Sequence, residues 1–143
     1  MLRNIGAVAA GVVAGAIVIF IVEGAGHMIF PPPDGVNLKD PAALAGIMES
    51  IPLGAKIAVL VAWFAGILAG GSAALYIGRR WAPVAWVVAA ALFGMAAVTM
   101  IQIPHPLWMM IGAVVATLAG AFGAIKLFHG TYAPPLAAKS SAS

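Results

Sequence analysis

The side chains able to do chemistry in this chain gather around one stretch, EGAGHMIFPPP at 23–33, and one turn, IPHPLWM at 103–109. Glu23 and His27 are four residues apart, so a helix places them on one face. His105 offers a second imidazole, and two imidazoles with one carboxylate are sufficient donors for zinc or iron. Met28, Met109 and Met110 would add soft ligands of the kind Cu(I) prefers. Other chemistries fit the same residues. Glu23 could tie helix ends together through Lys56, His27 or His105, His27 and His105 could be axial ligands of a haem, or Glu23 could carry a proton in transport. The pattern leaves any cofactor open. It contains no nucleophile–base pair, phosphate-cradling glycine loop or paired carboxylates, so no enzyme activity is expected. Ser72 and Thr99, lone hydroxyls in apolar surroundings, are expected to bond to backbone carbonyls, and Asp34 in PDG to mark a turn.

The elements that must position these residues follow from composition. Of 143 residues, 64% are hydrophobic and 8% charged, against about 25% charged in a soluble domain. The mean hydropathy of +1.10 comes from apolar segments at about 5–28, 57–77, 82–103 and 107–128, each near the ~20 residues that cross a bilayer. Irregular backbone cannot face lipid, so each segment must be helical. The expected fold is an all-α membrane protein, a four-transmembrane-helix bundle over 1–128 with a flexible cytoplasmic tail at 129–143. The first segment exceeds the usual length of a signal-peptide apolar region and reads as a true span. GRRWAP (78–83) and PHP (104–106) are hairpin connections that make their flanking helices antiparallel neighbours. The long connection, 31–52, carries KDPAALAGIMESIP (39–52). This reads as a short helix with Asp40 as N-cap, Pro41 at the first position, and Leu44, Ile47, Met48 and Ile51 on one face.

Charge sets orientation. Arg3, Arg79, Arg80, Lys126 and Lys139 fall on one side and Lys39 and Lys56 on the other, which predicts both termini inside and the long loop outside. The net charge of +3 is therefore an orientation signal. With no basic stripe, nucleic acid is not an expected partner. The absence of cysteine excludes disulfides and thiolate sites. From Ile5 to Glu23 the first helix rises about 27 Å at ~1.5 Å per residue, which puts Glu23 near the outer rim rather than mid-membrane. Lys56, Gln102, His105 and Trp108 belong at the same level, so with Glu23 and His27 they form one candidate cluster, Trp108 doubling as an interfacial anchor. His129 lies at the other end.

Small residues recur at helix-packing spacing: Gly11 and Gly15, Gly66 and Gly70, and Gly112, Ala116, Gly120 and Ala124. Such faces let backbones approach closely in lipid. They serve either the bundle itself or docking onto another membrane subunit or a second copy.

The segments EGAGHMIFPPP, DPAALAGIMESIP, AWFAG and IPHPLWM together make the chain resemble a group of small four-helix bacterial inner-membrane proteins of uncharacterised function. The resemblance covers roughly 5–125. It implies the fold and a multi-pass place in the bacterial cytoplasmic membrane, and it brings no activity. The leading expectation is a small non-catalytic accessory or structural subunit packed against a larger membrane complex. The alternative is a protein that binds a metal, ion or small molecule, or transports one, through the outer Glu/His cluster.

Overall fold

The computed structural model describes residues 2–31, 33–37, 39–78 and 81–129. They form five helices and, among the described residues, no strand: α1 (Leu2–Ile29), α2 (Pro41–Ile47), α3 (Leu53–Ile77), α4 (Pro83–Gln102) and α5 (Leu107–His129). Four of these are long and apolar enough to span a membrane. The expected spans are all present, with ends shifted by up to four residues. α3 starts at Leu53 rather than 57 because Pro52, which carries no amide hydrogen, begins the helix by accepting from Ala55 and Lys56 through its carbonyl. α4 stops at Gln102 because Ile103 precedes Pro104 and is held extended, at φ −122° and ψ 121°. His129 ends α5 rather than starting a tail, and residues 130–143 lie outside the described residues.

The short helix is shorter than its sequence suggests. Asp40 caps it as expected, accepting a hydrogen bond from the Ala42 amide at 3.0 Å. It ends at Ile47, where the Ser50 hydroxyl and amide both take the Ile47 carbonyl, at 2.8 and 2.9 Å. This local capture competes with a further helical turn. The PDG turn is also as read: Gly35 adopts φ +81°, and the Val36 amide donates to the Pro33 carbonyl, an arrangement that needs glycine at the third position. Seven residues cannot sustain a helix by propensity alone, so the cap matters. Asp40→Ala should cost about 1 kcal/mol locally. Hydrogen exchange across Ala42–Ile47 should accelerate severalfold while the long helices are unchanged.

α3 and α4 each pack on all three other long helices, and α1 and α5 flank them. The widest contact, α1 on α3, is a glycine seam. A Cβ on Gly11 would lie 2.6 Å from the Gly70 carbonyl oxygen, and one on Gly15 would lie 2.8 Å from that of Gly66. The α5 glycines do the same against α3, Gly112 meeting Leu60 and Gly120 meeting Ile67. All six glycines named from sequence are thus taken up inside the bundle. Van der Waals contact has to hold helices together in lipid, and these approaches provide it.

The seam does not fill both ends equally. The buried core of Ile67, Ala74, Leu75, Val84, Ala85, Val88, Ala89, Leu92, Ala121 and Ala124 occupies the end that holds Leu2 and Trp81. There α4 reaches α1, with Val88 against Gly11 and Leu92 against Gly15. Towards the α2 end a cavity replaces this core.

Candidate functional site: a cavity at the α2 end

The cavity has a volume of about 530 Å³, within the range of small-molecule sites. α1 supplies Ile19, Phe20, Glu23 and His27 to its wall, and α3 supplies Lys56, Val59, Trp63 and Ile67. α4 contributes Phe93, Met95, Ala96 and Thr99. His105 enters from the PHP turn, Met109 and Thr117 come from α5, and Leu44, Ile47 and Met48 of the α2 segment close over the top. The wall is apolar apart from a few groups, and those groups lie at different heights. Pairing of Gly26 with Ala58 and Phe30 with Gly54 sets an antiparallel register that puts His27 and Lys56 at the mouth. Glu23 lies about one turn deeper, and Trp63, Ile67, Leu92 and Thr117 line the floor.

Four of the six cluster residues predicted from sequence, Glu23, His27, Lys56 and His105, therefore line one cavity, while Gln102 and Trp108 are exposed and outside it. Gln102 is the last residue of α4, at its exposed end, and Trp108 lies in the first turn of α5, just before Met109, which does face inward. The expected shared metal centre is not assembled: among the described residues, no three His, Cys, Asp or Glu side chains stand together as a metal-holding group. The soft-ligand set is divided too. Met109 is 3% exposed and lines the cavity, whereas Met28, 86% exposed, and Met110 do not.

Of the partners expected for Glu23, His27 bears on its carboxylate, and the Trp63 indole, which was not expected, joins it there. Trp63, 8% exposed, is the functional side chain that residue types alone miss. The signal was present in the glycine spacing. Matching Gly11 and Gly15 against Gly70 and Gly66 brings Glu23 level with Ala58, and the register near the mouth, Gly26 against Ala58, brings it level with Val61, two residues from Trp63.

His105 is built into its turn. Pro104 and Pro106 carry no amide hydrogen, so the PHP turn offers few donors to the last carbonyls of α4. The His105 ring supplies one, with Nδ1 2.6 Å from the Ile103 carbonyl oxygen. A carbonyl only accepts, so Nδ1 carries the hydrogen and Nε2 of the neutral ring is an acceptor. Imidazole ¹⁵N NMR of the protein in bicelles should show neutral His105 protonated at Nδ1; an Nε2–H tautomer would contradict this geometry. The buried Thr117 donates to the Ala113 carbonyl at 2.8 Å, and Thr99 to that of Met95 at 3.4 Å. Thr99 behaves as expected, while Ser72 makes no such bond. Among the described residues no buried side-chain nitrogen or oxygen lacks a partner.

The cavity can thus enclose an apolar body, offer it the Glu23 carboxyl and the His27 and His105 imidazoles, and shield it beneath a short helix. Among known proteins, no family model, no curated protein and no solved structure matches the chain.

Proposed function

We propose that this protein is a non-catalytic, multi-pass membrane protein that binds a small amphiphilic molecule in the cavity at its α2 end. One observation carries the reading. The bundle is tightly packed at one end, yet at the other it holds an apolar cavity of about 530 Å³ with Glu23 and His105 among its lining residues. Interiors without function are normally filled to crystal-like density. The basic residues orient the cavity outward, with both termini in the cytoplasm, and the resemblance drawn from the sequence suggests a bacterial cytoplasmic membrane. The site then opens towards the outer surface and to molecules that partition into the outer leaflet.

The competing role, an accessory subunit of a larger membrane complex, drew on small-residue faces available for docking. The six glycines of those faces contact neighbours within the chain, so that role rests on the small extramembrane mass and the lack of catalytic groups. Purification in mild detergent keeps it testable: a partner retained at fixed stoichiometry would favour it.

Tryptophan quenching tests the ligand-binding reading. A neutral amphiphile with a brominated tail, titrated into protein in lipid nanodiscs, should quench fluorescence saturably, and its unbrominated analogue should reverse the effect. Trp63→Phe should abolish the saturable part and leave the linear quenching of the lipid-facing tryptophans. Purely linear quenching in both proteins would refute the site.

A further inference from the structure

Building on that reading, we infer that the ligand is an amphiphilic cation, its positive group held at Glu23 and its apolar tail on the floor formed by Ile67, Leu92 and Thr117. Glu23 is the only acidic residue on the cavity wall; Asp34, Asp40 and Glu49 lie elsewhere. It lies about one turn below the mouth, where His27 and Lys56 stand, and shares the wall with the Trp63 indole. A carboxylate on an apolar wall, without a fixed cation opposite, is complementary to a positive ligand. Aromatic rings reinforce the choice. Phe20, Trp63 and Phe93 share the wall with Glu23, and ring faces attract ammonium groups, the more so where water is scarce.

The remaining titratable groups facing the cavity are His27, Lys56 and His105, and Lys56 decides against an anionic ligand. It stands in the first turn of α3 at the mouth, where its long stem lets the ammonium reach water. An anion paired with Lys56 would have to extend its tail past the Glu23 carboxylate. A cation that enters below Lys56 meets no such obstacle. Phe20 on α1 and Met95 and Thr99 on α4 are exposed while lining the cavity. They mark a side opening between the two helices through which an amphiphile can slide in from the bilayer, head at the level of Glu23.

Three amphiphiles with the same decyl tail and a trimethylammonium, a neutral glycol or a phosphonate head test this by displacing the brominated neutral probe in zwitterionic nanodiscs. The wild-type protein should bind the cation at least about tenfold more tightly than the neutral compound, and the phosphonate more weakly than either. Glu23→Gln should remove the preference for the cation, and an unchanged melting temperature without ligand verifies that the variant folds. Glu23→Asp should retain the preference, and Lys56→Gln should tighten cation binding severalfold by removing a like charge at the mouth. An undiminished preference in Glu23→Gln, a preference for the phosphonate, or weaker cation binding in Lys56→Gln would overturn the inference. Equal binding of all three heads would overturn the cation choice while leaving the cavity as a ligand site. Saturable binding of none would overturn both.

Discussion

Gly70→Val should be the most damaging single substitution in this protein, lowering the melting temperature in detergent by ten degrees or more or preventing recovery of folded protein. A Cβ at Gly70 would lie 2.5 Å from the Gly11 carbonyl oxygen and 3.1 Å from the Gly15 Cα. Both obstacles are backbone, so no rotamer change relieves them and the two helices must separate. Overpacking a core costs about 1–3 kcal/mol where side chains can shift, and this site should reach or exceed the top of that range. Separation also forfeits the neighbouring approach of Gly15 to Gly66, and in lipid no hydrophobic driving force replaces lost contact. Glycines without such neighbours provide the control. Nothing lies within 4 Å of a Cβ built on Gly24 or Gly94, so alanine there should be neutral or gain up to about 1 kcal/mol from helix propensity. Equal losses at Gly70 and Gly94 would mean that the seam does not hold α1 to α3.

Filling the cavity should separate binding from stability. Ala96 lies on the α4 wall of the cavity, one turn beyond Phe93 and level with Ile19 of α1. A phenylalanine there projects into space a ligand needs and makes contacts that the empty wall lacks. Ala96→Phe should weaken amphiphile binding at least about a hundredfold, which is about 2.7 kcal/mol. The same change should raise stability without ligand by roughly 0.5–2 kcal/mol, as cavity-filling substitutions commonly do. The wild-type protein should in turn be stabilised by saturating amphiphile, by about 2.7 kcal/mol at a hundredfold excess over Kd, and the variant should not. The two thermal-shift curves should therefore cross as ligand is added. Loss of both binding and stability would indicate only that the substitution deforms α4. Gain of stability with unchanged binding would place the ligand elsewhere.

The sequence made the elements readable because bilayer thickness and backbone hydrogen bonding leave little choice. Runs of ~20 apolar residues must be helices, and proline, glycine and Asp40 mark their ends to within a few positions. That Glu23, His27, Lys56 and His105 would line one end of the bundle followed from counting residues along those helices, although Glu23 lies about one turn deeper than His27 and Lys56. Counting gives height but not direction. Gln102 and Trp108 share the level and face away, because rotation about a helix axis is set by packing, and the apolar runs are hydrophobic on every side. The glycine faces were legible as packing surfaces, but whether they met within the chain or against a partner depends on which helix occupies them. Trp63 was hidden for the same reason: an indole in an apolar helix looks like filler until the antiparallel register brings it beside Glu23. The cavity itself has no signature in one chain, since it is the space left where α4 parts from α1 beyond Leu92.

Native mass spectrometry of the protein released from nanodiscs tests the central claim, a single ligand site enclosed by the four long helices, most directly. With the neutral amphiphile titrated in, the wild-type protein should take up one molecule per chain and saturate, and Ala96→Phe should show no saturable adduct at the same concentrations. Adducts that rise without saturation, or that reach the same occupancy in both proteins, would contradict the account.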